Sequence, residues 1–537
     1  MATDLDHASP RTNSLANFFR SPKLVYSTFL MAMAFFTFGY DGAISGGILA
    51  MVPFVNQMSH THLPNGTPYL TSTDISIMTA LPVTGCVLGL PLAAQFADRY
   101  GRKKMILVGC IFSAVGSAIQ TAAFGLAEIV VGRWIANVAI WLFIVLGSTY
   151  MAEIAPENVR GAIVGTSIVL INTAAIVASG VNWAMSTEMS AMSFRLPLGL
   201  GILFPLILFV GLFFVDDSPT WYLTKSRDSD ALRSLRSVRS GYPEAEILAE
   251  FEALKAQASI REDEAKVPWI DIFRGTNLRR SMLAMSIGNM QQLSGIAFAT
   301  NYATIFLATV SGNVSPFLLT MVGAILAFAG AVTGIYLVDR VGRRTLALTT
   351  FTMVFFIDLV VGVLGFMDYT GNTSIAKAIA SMCMLFSFFF AAGFGPLTYV
   401  VSAEIPTARL RNKTSSFSFL TLAAFSTVVI YVLPYISQPD AGNLGPKTYL
   451  VFAGWMAGCI LITYLYLPET KGRTPAELDA MFEARVPARK FKGKEQDPFV
   501  SALLIFHVSD YQCNLSMESY MNEEKIDTEV AHHEAKV

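Results

Sequence analysis

The sequence predicts an all-α membrane protein of twelve transmembrane helices in two pseudo-symmetric six-helix halves. The first observation is composition: of 537 residues, 53% are hydrophobic and only 14% are charged, whereas a soluble domain carries about 25% charged residues. The second is a series of twelve apolar stretches long enough to cross a bilayer. The third is a set of short motifs that recurs in the two halves of the chain.

The apolar stretches are numbered here as spans 1 to 12 in chain order, since a bilayer core needs about 20 mostly apolar residues per helix. The first six are 25–53, 75–97, 105–124, 126–151, 162–184 and 194–215. The second six are 281–310, 316–338, 346–367, 376–401, 415–436 and 448–467. Runs this long and unbroken exclude a membrane barrel, whose alternating strands are about ten residues long.

The spans divide the chain into five parts. These are an N-terminal cytosolic segment (1–24), a first six-helix half (25–215), a cytosolic linker with short helices (216–280), a second half (281–467) and a cytosolic tail (468–537). Apolar residues at helical spacing predict a linker helix around Ile247 and Phe251 and a tail helix around Leu478 and Phe482. The tail turns polar after about residue 491, and we expect most of it to be disordered.

Basic residues mark one side of the predicted bundle. The loops after spans 2, 8 and 10 are rich in Arg and Lys, whereas the opposite loops 51–74 and 184–193 contain none. Because positively charged loops stay in the cytosol, we expect both termini there, in a multi-pass protein of the plasma membrane. Asn65 then lies in an external loop and matches the Asn-x-Ser/Thr glycosylation pattern.

Short motifs recur at equivalent ends of equivalent spans. Asp98-Arg-Tyr-Gly-Arg-Lys after span 2 returns as Asp339-Arg-Val-Gly-Arg-Arg after span 8. The segment 153–160 after span 4, which begins Glu-Ile-Ala-Pro, is answered by 404–411 after span 10, which begins Glu-Ile-Pro-Thr. The two halves are therefore duplicates of one another.

These repeated acids and arginines predict a cytosolic gate. Ion pairs between neighbouring helices, made in one conformation and broken in the other, would favour the outward-open state of an alternating-access carrier. A weaker echo pairs Asp217-Ser-Pro-Thr after span 6 with Glu469-Thr-Lys-Gly after span 12. For single arginines, membrane topology alone is the alternative explanation. The predicted gate residues are Asp98, Arg99, Arg102, Glu153, Arg160, Asp339, Arg340, Arg343, Glu404, Arg409, Arg411 and Glu469.

Two opposite charges are predicted to lie within the membrane, Asp41 in span 1 and Arg133 in span 4. A charge at that depth costs about 3 kcal/mol or more unless it is paired or hydrated, so we expect each to be the other's partner. No histidine lies in a span, and a proton carried there would need a carboxylate. We therefore predict proton coupling through Asp41 and Arg133; a static pair that only joins two helices is the alternative. Asp358 in span 9 has no identifiable partner, and we assign it no role.

Several motifs, in their order along the chain, together resemble one known family. They are the two Asp-Arg-x-Gly-Arg turns, Gly39-Tyr40-Asp41, Gly132-Arg133, Gln291-Gln292-Leu-Ser-Gly295, Gly395-Pro396 and Pro468-Glu-Thr-Lys-Gly-Arg473. Over residues 25–491 the chain resembles the sugar-porter branch of the major facilitator superfamily, with a tail similar to that of filamentous-fungal members. The resemblance implies the major facilitator fold and secondary active uptake of a sugar or sugar-like solute with protons. Proton symporters of that family carry an aspartate at the position of Asp41.

The resemblance also implies a set of substrate-binding residues. They are Phe38, Gln291, Gln292, Asn301, Gly395 and Tyr399. For the two glutamines, hydrogen bonds between helices are the alternative role. The chain departs from the family at Ile168 and Ala175, where amide side chains are expected, and at Leu422 and Ala423, where a polar and an aromatic residue are expected. At about 1 kcal/mol per lost hydrogen bond, we expect weak binding of a plain hexose and a cavity suited to a larger or less hydroxylated solute.

Two other functions fit the same fold: export of a fungal secondary metabolite, and sugar sensing without transport. The sequence shows no metal-ligand cluster, no phosphate-binding glycine loop and no nucleophile elbow, so we expect no enzyme activity, no cofactor and no metal. A net charge of −1 provides no basic face for nucleic acid. The expected partners are a small-molecule solute, protons and the lipid bilayer, and we expect a monomer.

Overall fold

The computed structural model describes residues 20–62, 66–156, 160–265, 267–310, 314–369, 371–473 and 475–491. The predicted glycosylation acceptor Asn65 and the tail beyond residue 491 lie outside the described residues. Within the described residues, eleven helices are long and apolar enough to cross a membrane. They correspond to the predicted spans 1–6 and 8–12, and span 7 is divided into shorter helices. The helix limits agree with the predicted ones to within about six residues.

The first half contains spans 1 to 6. Span 1 is Pro22–Ile48, span 3 is Arg102–Ala122, span 4 is Leu126–Ile154, span 5 is Arg160–Met185, and span 6 consists of Met192–Leu200 and Leu203–Leu212. Span 2 runs from Ser72 to Tyr100 as α-helices Ser72–Ala80, Cys86–Pro91 and Ala97–Tyr100, a 3₁₀ turn Leu81–Gly85 and a π turn Leu92–Phe96. Its irregularity follows from Pro82 and Pro91, which remove backbone donors. Between spans 1 and 2 lie the helix Val52–Met58 and the antiparallel strands Thr61–His62 and Pro68–Tyr69.

The linker forms a small helical layer against the first half. Its helices are Pro219–Thr224, Asp228–Val238 and Glu244–Ala265, followed by the 3₁₀ turn Trp269–Phe273. The predicted linker helix is present, with Ile247 and Phe251 buried. Arg239 is buried; its guanidinium contacts the Glu250 carboxylate at 2.8 and 2.6 Å and donates to the Ile154 carbonyl at 2.7 Å. This side chain therefore attaches the linker to the end of span 4.

The second half contains spans 7 to 12 and the tail helix. Span 7 consists of Gly275–Leu293, Ile296–Thr300 and Ala303–Val310, span 8 is Pro316–Val341, span 9 is Arg343–Leu364 and span 10 is Thr373–Glu404. Span 11 is Arg411–Ser437, span 12 is Thr448–Tyr466 and the tail helix is Pro475–Glu483. Short 3₁₀ turns lie at Ala408–Leu410, Gly445–Lys447 and Ala488–Lys490. The Arg280 guanidinium donates to the Leu478 carbonyl at 3.2 Å, which attaches the tail helix to span 7.

Span 7, predicted as one uninterrupted stretch, is broken directly after Gln291 and Gln292. The helix ends at Leu293, and Gly295 takes a left-handed conformation with φ +83°. A Cβ atom at Gly295 would lie 3.0 Å from the ring of Phe452 in span 12. Only glycine meets both conditions without strain, so the break is fixed by packing between spans 7 and 12.

We call the end of the bundle that carries the linker and the tail helix the basic end. At the opposite end, hydrogen bonds join the two halves. The Asp440 carboxylate accepts from the backbone N–H of Ser72 at 2.7 Å and from its hydroxyl at 2.5 Å. The Ser76 hydroxyl donates to a span 11 carbonyl at 2.8 Å, and the hydroxyls of Thr79 and Tyr302 lie 2.6 Å apart. We name these contacts the hydroxyl seam. They connect spans 2 and 7 and the segments around span 11 at the end of the bundle opposite the basic end.

Candidate functional site

At the basic end of the first half, a glycine turn and an acid fix the start of span 3. Gly101 has φ +103°, and a Cβ atom there would collide with the Asp217 carboxylate. That carboxylate accepts from the backbone N–H groups of Arg102 at 3.1 Å and Lys103 at 3.3 Å. An acid at this position satisfies free N–H groups and stabilises the helix N-terminus. Burial is the main effect on the Asp217 carboxyl and raises its pKa, against the lowering effect of backbone donors and of Arg102.

The second half repeats this arrangement with different residues. Gly342 has φ +100° and lies against the Glu469 carboxylate, which accepts from the N–H groups of Arg343 at 2.9 Å and Arg344 at 3.1 Å. Glu469 was among the predicted gate residues, and Asp217, its counterpart, was not. The sequence signal for Asp217 was the weak echo between the segments after spans 6 and 12.

Two arginines connect neighbouring spans at the basic end. The Arg102 guanidinium lies 3.0 Å from Asp98 and 3.2 Å from Glu153 of span 4. In the second half, Arg343 lies 3.1 Å from Asp339 and 2.7 Å from Glu404 of span 10. The Thr470 hydroxyl also donates to Glu404 at 2.6 Å. The structure thus brings six of the predicted gate residues into two equivalent networks, one in each half.

Other predicted gate residues lie elsewhere. Arg99 lies over the ring of Tyr100 and Arg340 over the ring of Tyr336, with centroid distances of 5.4 and 4.3 Å. Arg409 is exposed. In the described part of the chain neither it nor Arg411 forms an ion pair, and the side chain of Arg160 is outside the described residues. The two networks each lie within one half and are formed while the hydroxyl seam is also formed.

Asp41 and Arg133 face each other between spans 1 and 4. Their nearest oxygen and nitrogen atoms are 3.9 Å apart, and both side chains are largely enclosed. This is ion-pair range but beyond hydrogen-bond distance. The Nε atom of Arg133 is buried and has no hydrogen-bond partner among the described residues. Neither charge is therefore fully satisfied by the other in the described conformation. Among the described residues no group of three or more His, Cys, Asp or Glu side chains is placed to hold a metal ion.

The predicted substrate positions lie on spans 1, 7 and 10. The Gln291 side-chain oxygen accepts from the Thr398 hydroxyl at 3.3 Å, which joins spans 7 and 10 directly after the turn containing Gly395. A Cβ atom at Gly395 would meet open space, and Tyr399 packs at 5.8 Å from the ring of Phe419. Gln292 is buried, and the exposure of Phe38 and Asn301 is intermediate. The sequence analysis did not identify Thr398. The available signal was Gln291, a side-chain amide within a span that requires a hydrogen-bond partner.

An apolar cluster joins the halves at mid-membrane. Trp141 of span 4 and Cys86 of span 2 pack against Ala423 and Leu422 of span 11. The indole N–H of Trp141 is buried and has no acceptor among the described residues. Leu422 also fills the space beside Gly288 of span 7. The positions at which the family pattern requires polar and aromatic groups are thus part of an apolar contact.

Asp358 is completely enclosed in the second half. Its exposed fraction is 0%, and neither carboxyl oxygen has a hydrogen-bond partner among the described residues. Its polar neighbours are Cys383 of span 10 and Tyr449 of span 12, whose side chains are themselves 3.5 Å apart. The carboxyl therefore contributes a desolvation cost that no described contact offsets.

We expect Asp358→Leu to raise the thermal stability of the purified protein. Leucine has nearly the shape of aspartate, and removing a buried polar group without a partner recovers about 1 to 3 kcal/mol. The measurement is the melting temperature in detergent, with Asp358→Asn as a control that keeps a polar group and should change little. A leucine variant that melts below the wild type would show that the carboxyl makes a stabilising contact.

Comparison with known proteins identifies similar sequences along nearly the whole chain. The profile of the family described as "Sugar (and other) transporter" matches residues 27–482. The high glucose sensor RGT2 of Saccharomyces cerevisiae is 28% identical over 490 residues, which are 89% of this chain and 63% of that longer protein. The major facilitator-type transporter ecdD of Aspergillus rugulosus is 29% identical over 477 residues, covering 86% of this chain and 87% of the relative.

Solved structures give the same architecture. The inward-open structure of the xylose transporter XylE from E. coli matches with a TM-score of 0.68 at 19% identity, covering 85% of this chain and 99% of that chain. Its partially occluded inward-open structure matches with a TM-score of 0.67. The predicted fold class of twelve membrane helices in two halves is confirmed, with span 7 discontinuous.

Proposed function

The chain belongs to the sugar (and other) transporter family, and from this premise we propose that it is a proton-coupled secondary active transporter that takes up a sugar or sugar-like solute. The observation that carries the proposal is the opposed pair Asp41 and Arg133, separated by 3.9 Å inside the first half. An acid beside an incompletely satisfied arginine inside the membrane is energetically costly, and such residues usually mark a functional site. Proton binding by Asp41 would release Arg133 and change the balance between conformations.

Alternating access is supported by where the contacts lie. The ion pairs at the basic end join helices of the same half, whereas the hydroxyl seam joins the two halves. With the basic end in the cytosol, as its arginines favour, the described conformation is closed to the outside. Each half would then rock as a body, with the hydroxyl seam breaking as the solute site turns outward.

The solute is proposed to be less hydroxylated than a hexose, or a larger molecule with an apolar portion. The support is the apolar contact of Trp141 with Leu422 and Ala423, together with Gln291, which is engaged by Thr398. A ligand that replaces these contacts gains from apolar area and from few directed hydrogen bonds. Relatives include glucose transporters and an alpha-glucoside permease, both from Saccharomyces cerevisiae, so an alkyl or aryl glucoside is the first candidate.

The test is uptake into proteoliposomes that contain the purified full chain. Labelled glucose, xylose, maltose and an aryl glucoside are supplied with and without an inward proton gradient. We expect accumulation of the glucoside above its outside concentration only with the gradient, and weak uptake of the hexose. Saturable glucose uptake at micromolar concentration would contradict the proposed specificity. Binding of a solute without its transport would favour a sensor. Accumulation of the solute driven by an outward proton gradient would indicate exchange of solute for protons and would favour an exporter.

A further inference from the structure

A small cavity with a mixed apolar and polar lining lies behind Asp41, between spans 1, 3, 4 and 6. Its polar lining residues are Thr37, Tyr40, Asp41, Ser113, Ser117 and Gln120. It offers about 20 Å³ of room for the centre of a water molecule, and an ordered water needs roughly 10–15 Å³ and two to four polar partners. The cavity therefore has the size and the chemistry to hold one water next to the acid.

Besides Asp41, Gln120 lines this cavity with incomplete hydrogen bonding. It is 1% exposed. Its amide nitrogen donates to the Gly116 carbonyl at 3.3 Å, and its amide oxygen is buried without a partner among the described residues. A buried acceptor in this position costs about 1–3 kcal/mol unless something donates to it, and a water in the cavity is such a donor.

Packing holds Gln120 in place beside the charged pair. A Cβ atom at Gly132 would come within 2.9 Å of Cγ of Gln120, so the glycine directly before Arg133 provides the space for this side chain. The Tyr40 hydroxyl already donates to the Pro197 carbonyl at 2.9 Å. Gln120 is thus a fixed acceptor on span 3, next to the Asp41 and Arg133 pair but not part of it.

We propose that the cavity is a hydration site for Asp41, in which one water bridges the Asp41 carboxyl and the Gln120 amide oxygen. This inference rests on the proposed function of Asp41. When the acid is protonated, its O–H donates to the water. When the O–H bond breaks, the bridging water accepts the proton and releases one of its own to solvent water, and the bridging molecule, again neutral, donates a hydrogen bond to the carboxylate. Gln120 is a positioning residue, since it acts on the proton through the water.

The electrostatic surroundings of Asp41 are formed by groups from each span packed against it. Span 4 contributes Arg133, span 1 contributes Tyr40, and Tyr302 of span 7 lies within electrostatic range of Arg133. Span 3 contributes the neutral groups of Ser113, Ser117 and Gln120, and span 6 lines the cavity with Pro197, Leu198 and Gly201. Arg133 is the charged neighbour of Asp41 in this set, and the water provides a second stabilising contact for the ionised carboxylate.

The experiment is an infrared pH titration of the reconstituted full chain, which needs no solute. The carboxyl band that disappears in Asp41→Asn is assigned to Asp41. Gln120→Met keeps the length of the side chain and removes the acceptor; Ser117→Val keeps the amide and fills the cavity. We expect both variants to bind the Asp41 proton about tenfold more tightly, because the carboxylate loses one hydrogen bond. The midpoint of the titration should therefore rise by about one pH unit. Thr121→Val, on the same helix but outside the cavity lining, should titrate like the wild type.

The outcomes separate the two proposals. If the Asp41 band is present but both Gln120→Met and Ser117→Val keep the wild-type midpoint, the hydration site is wrong while proton binding by Asp41 stands. If no carboxyl band is lost in Asp41→Asn, Asp41 does not titrate and the proposed proton coupling fails as well. Elution of each variant as a single species in size-exclusion chromatography confirms that it is folded. If Gln120→Met does not fold, Ser117→Val alone tests the hydration site.

Discussion

Asp41→Asn is expected to abolish accumulation of solute driven by a proton gradient while exchange of labelled for unlabelled solute continues. Asparagine has the size of aspartate but cannot bind and release a proton at any working pH. Arg133 lies 3.9 Å away, and its Nε atom has no partner among the described residues. With asparagine at position 41, Arg133 no longer faces a group whose charge changes during the cycle. Exchange needs only the rocking of the two halves, so it should survive the substitution.

The measurement compares gradient-driven uptake with counterflow in proteoliposomes of equal protein content. Wild-type accumulation should fall toward the level of Asp41→Asn as the outside pH rises, because a symporter takes its proton from outside. The matched control is Asp358→Asn, which removes a fully buried acid of span 9 and should leave accumulation unchanged. Undiminished accumulation by Asp41→Asn would rule out this residue as the proton carrier.

Glu153→Gln is expected to destabilise the first half strongly, whereas Asp98→Asn should have little effect. Both acids contact the same guanidinium, Asp98 at 3.0 Å and Glu153 at 3.2 Å, but their side chains are 74% and 5% exposed. An exposed ion pair contributes about 0–1 kcal/mol, whereas removing one partner of a buried pair costs about 3–5 kcal/mol. Burial therefore predicts a difference that the distances alone do not.

The second half offers the same comparison with weaker contrast. Glu404 is 32% exposed and Asp339 76%, both against Arg343. We expect the loss of melting temperature to rank Glu153→Gln first, Glu404→Gln second, and Asp98→Asn and Asp339→Asn last. Transport should follow the same order, since each pair fixes the helices of one half. Equal losses for Asp98→Asn and Glu153→Gln would show that burial does not set the strength of this network.

The spans and the duplicated motifs could be predicted from the sequence because each depends on local composition. The partnership of Asp41 with Arg133 was also predictable, since a single charge at that depth is costly. The break at Gly295 was not, because it depends on the ring of Phe452, more than 150 residues away. The same limit applies to Gln120, whose role depends on the space left by Gly132 on another helix.

Asp217 lies between these two cases. Its position after span 6 repeats that of Glu469 after span 12, but the surrounding letters differ. Only the hydrogen bonds from the first N–H groups of spans 3 and 9 show that Asp217 and Glu469 have the same structural role. Arg99 and Arg340 show the opposite case, in which equivalent sequence positions do not form the predicted ion pairs among the described residues. Both stack on tyrosine rings, and membrane topology is sufficient to account for their charge.

The hydroxyl seam makes the polar part of separating the two halves, at the end opposite the basic end, small in cost and reversible. Its partners are the hydroxyls of Ser72, Ser76, Thr79 and Tyr302 and the carboxylate of Asp440. A hydrogen bond between neutral groups can be exchanged for one to water at a net cost near 1 kcal/mol, and one to the Asp440 carboxylate at about 1.5–3 kcal/mol. Binding and release of the solute and the proton, rather than separation of the halves at this end, would then limit the rate of turnover.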